Sequence, residues 1–157
     1  MNIDLIAIGK TDSPEVSRIA DDYSRRINFY AKFSALFLPD VKSSKKLPAQ
    51  KQKQTEGEQI LRQFSPGDYV VLLDEKGTEM NSVEFSSWLE KRMLSGVKKV
   101  CFVIGGPYGF SKEVYERAND SVSLSKMTFS HQIIRAIFAE QLYRAFTIIN
   151  NEPYHHV

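Results

Sequence analysis

The sequence is poor in the residues and runs that mark secreted or membrane proteins. Cys101 is the only cysteine, which excludes an intramolecular disulfide, and its place inside an apolar run predicts a buried, unreactive thiol. No apolar run approaches the roughly 20 residues that a membrane-spanning helix needs. The N-terminus, Met1 to Leu5, lacks the basic region and cleavage site of a signal peptide. We therefore predict a cytoplasmic protein with no membrane partner.

The chain also lacks a strong excess of charge of either sign. Its formal net charge is +2 over 157 residues, which is too small to indicate nucleic-acid binding unless basic residues cluster locally. A chain of this length with 42% hydrophobic residues can bury a core without disulfides or a structural metal. We expect a single domain over residues 1–157.

The common fingerprints of nucleotide-binding and metal enzymes are missing. There is no Gly-x-x-x-x-Gly-Lys-Ser/Thr motif, and Gly9 alone follows the first apolar run, which disfavours P-loop and Rossmann folds. The histidines, at 131, 155 and 156, have no metal-ligand spacing with the single cysteine, so we expect no metal. Ser125 and Ser130 lack a Gly-x-Ser-x-Gly elbow, which disfavours a serine hydrolase.

Apolar runs alternate with helical periodicities along the chain. Strands are predicted at 3–8, 33–38, 69–73, 100–104 and 121–125, and helices after Ser13, up to about 64, from Asn81 to 94, after Ser111, and from 130 or 131 to 150. This alternation predicts parallel βαβ units, and so an α/β fold with a mostly parallel sheet flanked by helices. The last helix has so wide an apolar face that we expect it to be covered on more than one side, for example by the sheet and a partner subunit.

A basic segment precedes the second helix. Between Val41 and Gln54 there are lysines at 42, 45, 46, 51 and 53 and no acidic residue. A solvated surface is the commoner explanation of such a run. A phosphate backbone would also be attracted to like charges without counter-ions, and neutralising Lys45 and Lys46 would distinguish the two.

Three predicted strands end in segments that could form a ligand site. Val100 to Ile104 leads directly into Gly105-Gly106-Pro107, and in parallel sheets ligands bind beyond the carboxyl ends of the strands. A tight turn is the commoner role of an isolated Gly-Gly-Pro. If strands three, four and five are neighbours, this loop meets Leu73 and the segment 124–129. Backbone amides and apolar side chains there suit a neutral aromatic base better than a triphosphate.

Four motifs, in order and with matching spacing, resemble the ribosomal RNA large subunit methyltransferase H family. They are Phe-Val-Ile-Gly-Gly-Pro-Tyr-Gly at 102–109, Ser-Leu-Ser-Lys-Met-Thr-Phe-Ser-His at 123–131, Glu-Gln-Leu-Tyr-Arg-Ala-Phe at 140–146 and Pro-Tyr-His at 153–155. The similarity covers the chain end to end. Gln132 stands where family members often carry a proline. The family is of the SPOUT class, so the resemblance implies an α/β fold with a C-terminal trefoil knot and a homodimer.

The resemblance also implies an activity. The family uses S-adenosylmethionine to methylate N3 of a pseudouridine in 23S rRNA of assembled ribosomes, leaving S-adenosylhomocysteine. By resemblance the cofactor is held by Leu73, Gly105, Leu124, Ser125, Lys126, Met127, Thr128 and Phe129. Gly105 would let the backbone approach the ligand, while Leu73 and Leu124 would flank adenine. A core or turn role is the commoner explanation of each residue alone.

Candidate catalytic and RNA-binding residues follow from the same motifs. His131 is a candidate base because the pKa of histidine lies near neutrality, although a capping or packing role fits equally well. His155 is a second candidate. Arg135 and Arg144 could contact RNA phosphate or a developing anion, with a Glu140 ion pair as the simpler role of Arg144.

Tyr154 could stack on a base, and whether the tail serves its own or the partner's site stays open. The competing hypotheses are a non-catalytic ribosome-associated RNA-binding protein and a regulatory protein that senses a small nucleotide. Binding of S-adenosylmethionine and co-sedimentation with ribosomes would distinguish them from the enzyme.

Overall fold

The computed structural model describes residues 1–41 and 46–156, so Lys42 and Lys45 of the basic segment lie outside the described residues. Strands and helices alternate along the chain. In order they are β1 (Asn2–Ile8), α1 (Pro14–Ile27), β2 (Lys32–Leu38), α2 (Ala49–Leu61), β3 (Tyr69–Glu79), α3 (Ser82–Leu94), β4 (Lys99–Ile104), α4 (Lys112–Arg117), β5 (Asp120–Ser123) and α5 (Ile133–Ile149).

The strands form one parallel sheet in the order β2-β1-β4-β3-β5. The predicted α/β fold with a parallel sheet flanked by helices is confirmed. Strands β4, β3 and β5 are neighbours, so the three segments that follow them leave the sheet at one edge. We call this the carboxyl edge. The trefoil knot stays a prediction from the resemblance.

Helices cover both faces of the sheet. Helices α1, α3 and α5 pack on one face, where the Phe102 and Phe138 rings lie 4.7 Å apart, and α2 and α4 pack on the other. Strand β4 lies between β1 and β3 and is buried on both faces, which is why its sequence is apolar without alternation. Cys101 in this strand is fully buried, and burial raises the pKa of its thiol to about 12, as expected for an unreactive cysteine.

The predicted helix starts at Ser13, Asn81 and Ser111 are confirmed. Each of these side chains accepts a hydrogen bond from a backbone N–H in the first turn of its helix. Asn81 and Glu84 form the reciprocal pair of a capping box. Local hydrogen-bonding chemistry therefore fixes the beginnings of three helices.

Four element boundaries differ from the sequence prediction by two residues or more, and two of them are the earlier ends of α2 at Leu61 and of β5 at Ser123. Strand β3 does not end near Leu73 but continues to Glu79, because its pairing with β5 shifts register and resumes at Thr78. Gly77 permits this, since a Cβ there would stand 2.6 Å from the backbone nitrogen of Val122. Helix α5 begins at Ile133, two or three residues late, because the Gln132 side chain bonds to the loop after β1 instead of capping the helix.

Among residues 1–41 and 46–156, no helix has both the length and the hydrophobicity to cross a bilayer. The same residues contain no group of three or more His, Cys, Asp or Glu side chains placed to hold a metal ion.

Candidate functional site

A cavity of about 640 Å³ opens at the carboxyl edge of the sheet. It is lined by Leu73 within β3, by Ile104 at the end of β4 and by the glycine-containing loop 105–110. Residues 124–131, excepting Lys126, line the opposite side. The three segments that were expected to meet after neighbouring strands therefore enclose one space.

The segment 124–132 bridges the sheet from one side to the other. The segment begins after β5, which is an outermost strand of the sheet, and reaches α5, which begins beside β1. The Thr128 hydroxyl donates to the Glu75 carboxylate at 3.1 Å, and the Gln132 amide donates to the Lys10 carbonyl at 3.1 Å. These contacts fix the segment at two points across the carboxyl ends of β3 and β4.

Seven of the eight residues expected to hold the cofactor line this cavity. The exception is Lys126, whose side chain is 83% exposed and lies 4.0 Å from Glu79. The Ser125 hydroxyl accepts a hydrogen bond from the Met127 N–H at 2.9 Å, which fixes the turn that carries these residues. Met127 is largely exposed, so it lies at the rim.

The glycines of the 105–110 loop are needed for packing within the protein. A Cβ on Gly105 would stand 3.1 Å from the Phe110 ring, so the absence of a side chain lets the loop pack against Phe110. The approach of the Gly105 backbone to a ligand stays a prediction. A Cβ on Gly106 would stand 2.2 Å from a carboxylate oxygen of Glu56 in α2. The absence of both side chains lets the loop lie against its neighbours while its backbone lines the cavity.

Several polar cavity residues were not assigned to this site from the sequence, among them Tyr115, Asp74 and Lys53, the last of which was named only as part of the basic segment. The Tyr115 hydroxyl donates to the Asp74 carboxylate, and burial together with this carboxylate raises the pKa of Tyr115. Asp74 follows Leu73 at the cavity, which is a signal that the sequence carries. Lys53 of α2 also lines the cavity, and only the fold relates it to the other loops.

His131 lines the cavity, whereas Arg135 does not. Arg135 is 1% exposed, and its guanidinium donates to the carbonyls of Ile8, Gly9 and His131 and to the Thr11 hydroxyl. Burial lowers the pKa of Arg135. The prediction that Arg135 contacts RNA is corrected, because its donors are directed into the protein. Arg135 instead fastens the His131 backbone to the end of β1.

The other three candidates form a separate cluster on α5 and the tail. Arg144 bonds to Glu140, lies 3.2 Å from the His155 ring nitrogen and stacks 4.8 Å from the Tyr154 ring centre. The Tyr154 hydroxyl contacts Glu140 at 3.0 Å and Tyr23 at 3.1 Å. Burial and these two partners raise the pKa of Tyr154.

This tail cluster lies away from the cavity of its own chain. Arg144 is eleven residues beyond the first residue of α5, which places it about 16 Å along the helix axis. His131 and the tail residues are thus not brought together within one chain. Glu140 and Arg144 also form the ion pair that their spacing predicts.

Comparisons with known proteins agree with this architecture. Residues 1–155 match the family model described as a predicted SPOUT methyltransferase. The ribosomal RNA large subunit methyltransferase H of Flavobacterium johnsoniae is 56% identical over 156 residues, 99% of each chain. The protein of the same name from Parabacteroides distasonis is 54% identical over the same shares.

A solved structure shows the same fold at much lower identity. A probable methylase family protein from Haemophilus influenzae aligns with a TM-score of 0.53 and 15% identity, over 99% of this chain and 71% of that one. With the family model and the close relatives, the identification made from the four motifs is confirmed. The chain belongs to the SPOUT methyltransferase family and, within it, to the family of the ribosomal RNA large subunit methyltransferase H relatives.

Proposed function

We propose that this enzyme transfers a methyl group from S-adenosylmethionine to N3 of a pseudouridine in 23S rRNA, acting as a homodimer on assembled ribosomes in the cytoplasm. Relatives named for methylation of large-subunit ribosomal RNA match the chain over 99% of its length. The observation that carries the proposal is the cavity at the carboxyl edge, because it brings two family motifs, at 102–109 and 123–131, together with Leu73 in one site.

The cavity fits the proposed cofactor in size and chemistry. Its volume of about 640 Å³ lies within the range of roughly 300 to 1,000 Å³ common for small-molecule sites. Leu73 and Leu124 offer apolar surfaces to an adenine ring, while the backbone of loops 105–110 and 124–129 offers donors and acceptors to its edge and to a ribose. The Asp74 carboxylate adds an acceptor at the same wall.

Within this proposal, the chain's residues position the base and remove a proton. The bound cofactor supplies an electrophilic methyl group, which requires the attacking nitrogen in line at about 3 to 3.5 Å. N3 of a pseudouridine carries a proton, so a group at the cavity has to accept it. His131 lines the cavity and is the residue we assign to this role. Arg135 acts through His131 by holding its backbone carbonyl at 2.9 Å.

We assign the tail cluster to the partner subunit's cavity. Arg144 lies about 16 Å along α5 from its first residue, and Tyr154 and His155 of the tail contact it there, away from the cavity of their own chain. Together they present a cation and two rings suited to RNA phosphate and bases. A homodimer that places this tail beside the other subunit's cavity would complete the site. The wide apolar face of α5 is consistent with a subunit contact.

Methyl transfer to ribosomes tests the proposed function directly. Ribosomes from a strain that lacks this methylation would be incubated with the protein and S-adenosylmethionine carrying a radiolabelled methyl group. We expect label in 23S rRNA, and nuclease digestion should recover it as N3-methylpseudouridine. Free 23S rRNA serves as the control for the assembled ribosome. Label in another nucleoside, or no transfer to any ribosomal RNA, would contradict the proposal.

A further inference from the structure

A buried carboxylate lies beside the cavity without a complete set of hydrogen-bond partners. Glu56 in α2 is 2% exposed. Its Oε1 accepts a hydrogen bond from the Gln52 amide at 3.0 Å, and Gln52 is itself buried. Its Oε2 has no hydrogen-bond partner among residues 1–41 and 46–156. One oxygen of this carboxylate therefore faces the protein interior unpaired.

Only the backbone of Gly106 separates Glu56 from the cavity. The unpaired oxygen lies 2.2 Å from the position that a Cβ on Gly106 would take, and Gly106 lines the cavity. Because Gly106 has no side chain, the wall between the carboxylate and the cavity is one backbone thick at this point. The carboxylate is thus close enough to act on a ligand through its charge, without touching it.

The groups around Glu56 do not neutralise it. Burial is the main reason why the pKa of Glu56 is raised. The like charge of Asp40, after β2, raises this pKa further, and His131 lowers it. Lys53, one turn earlier in α2, lines the cavity but is not a hydrogen-bond partner of the Glu56 carboxylate, whose Oε1 is bonded to Gln52 and whose Oε2 has no partner among the described residues. Burying an uncompensated carboxylate is costly, and a cation arriving in the cavity would offset that cost.

We propose that Glu56 is a specificity determinant that makes the cavity prefer a cationic ligand to a neutral one of the same shape. The inference rests on the proposed function, in which the ligand is S-adenosylmethionine. Its sulfonium is positive, whereas the thioether of S-adenosylhomocysteine is neutral. When the methyl group moves to N3, the sulfur keeps the bonding electron pair and the N3 proton passes to the base. The cavity then loses the sulfonium, and once the base has released its proton to solvent the neutral product is bound less tightly than the cofactor.

Calorimetric binding to the Glu56→Gln variant tests this role. The substitution keeps the shape and the acceptor for Gln52 but removes the charge. We expect affinity for S-adenosylmethionine to fall about tenfold, with a similar fall for sinefungin, which carries a protonated amine in place of the methylsulfonium. Affinity for S-adenosylhomocysteine should change less than about twofold. Glu58→Gln is the matched control, because Glu58 is exposed on the same helix.

Different outcomes separate this inference from the proposed function. An equal loss for the cationic and neutral ligands would make Glu56 a packing residue and overturn the inference, as would unchanged binding of all three. In either case the measurements would still show that the protein binds the cofactor. Failure of the unmodified protein to bind both S-adenosylmethionine and S-adenosylhomocysteine would instead contradict the proposed function.

A measurement on the unmodified protein covers the case in which Glu56→Gln does not fold. The ratio of affinities for S-adenosylmethionine and S-adenosylhomocysteine should fall as pH is lowered from 8 towards 5, because protonation removes the charge of Glu56. Asp40 and His131 face the same region, so the fall should persist in Asp40→Asn and His131→Gln variants. A ratio independent of pH, or a fall that disappears in one of these variants, would overturn the inference.

Discussion

Two buried charged side chains flank the carboxyl edge, and their environments differ. The Arg135 guanidinium donates to four oxygen acceptors and so compensates for burial with hydrogen bonds. Glu56 keeps one oxygen without a partner in the described part of the chain. We therefore expect Arg135 to stabilise the fold. We expect Glu56 to lower the stability of the free protein while it favours a cationic ligand in the cavity.

Replacing Glu56 by glutamine should stabilise the free protein in a way that depends on pH. The raised pKa of Glu56 means that the native state binds this proton more tightly than the unfolded chain does. The contribution of this raised pKa to the free energy of unfolding is complete below the pKa of glutamate in the unfolded chain, about 4.3. It is lost as the pH rises through the pKa of Glu56 in the native state. Thermal unfolding without ligand should show Glu56→Gln more stable than wild type at pH 8, by about 1 kcal/mol or 2 to 4 °C. The advantage should vanish near pH 4, and Glu58→Gln should show no such trend.

Replacing Arg135 by lysine should destabilise the protein. A lysine keeps the charge but cannot present a planar set of donors to four acceptors, so buried carbonyls at the end of β1 lose their partners. We expect a loss of about 2 to 4 kcal/mol in urea unfolding. Arg18→Lys is the control, because Arg18 pairs with Glu15 at the surface and should tolerate the change. Equal stability of Arg135→Lys and wild type would mean that these hydrogen bonds contribute little.

Single residues were predictable where a motif fixed their position after a strand. Leu73, Gly105 and Leu124 all line the cavity, as their places at strand ends predicted. Arg135 was wrongly assigned to RNA contact because a cation within a family motif suggests RNA binding. Its burial depends on bonds to Ile8 and Gly9, more than a hundred residues earlier in the chain. Glu56 carried no local signal, since only packing sets it against Gly106.

At the scale of elements, α2 carries the basic segment to the cavity. The first turn of α2 lies at the carboxyl edge, and Lys53 of this helix lines the cavity. Lys51 in α2 and Lys46, which precedes the helix, are exposed. These positions are compatible with RNA phosphate lying across the cavity mouth. A solvated surface remains the competing explanation for the two exposed lysines.

Neutralising Lys46 and Lys51 together should weaken binding to ribosomes and its dependence on salt. If each contacts one phosphate, the slope of log affinity against log salt should fall by about 1.5 to 2. Co-sedimentation at several salt concentrations measures this, and S-adenosylmethionine affinity should not change. The control pair is Lys91 and Lys98, which are exposed near the amino ends of the strands, away from the carboxyl edge. An unchanged slope in the Lys46 and Lys51 variant would show a solvated surface.

Element starts were predictable because caps depend on neighbouring residues, as at Ser13 and Asn81. Element ends that depend on tertiary pairing were not. The extension of β3 to Glu79 follows from its pairing with β5, more than forty residues later. The late start of α5 follows from the bonds of Gln132 to Lys10 and Asp12. Strand order likewise requires the whole sheet.

At the scale of the whole molecule, the tail and the cavity are expected to meet only between subunits. Truncation after Glu152 should leave dimerisation and S-adenosylmethionine binding nearly intact and reduce methyl transfer to ribosomes at least about tenfold. Sedimentation and calorimetry provide the first two measurements. Wild-type turnover by the truncated protein would remove the tail from the mechanism, and loss of the dimer would give it a structural role.

A mixing experiment identifies which cavity the tail serves. The truncated protein would be co-refolded with a full-length Gly105→Val variant that has been shown not to bind cofactor. If the tail serves the partner's cavity, mixed dimers contain one complete site, and a one-to-one mixture should recover about a quarter of wild-type turnover. Each variant alone is the control. No recovery, despite mixed dimers, would assign the tail to its own subunit.

The bridge formed by residues 124–132 has a consequence for biosynthesis. Its far end is held by the loop after the first strand, through the bonds of Gln132 to Lys10 and Asp12 and of Arg135 to Ile8 and Gly9. Contacts between distant parts of a chain are late to form during folding. A nascent chain that has released residues 1–104 therefore has the first four strands but no enclosed cavity. The enzyme gains its ligand site only after nearly all of its own translation is complete.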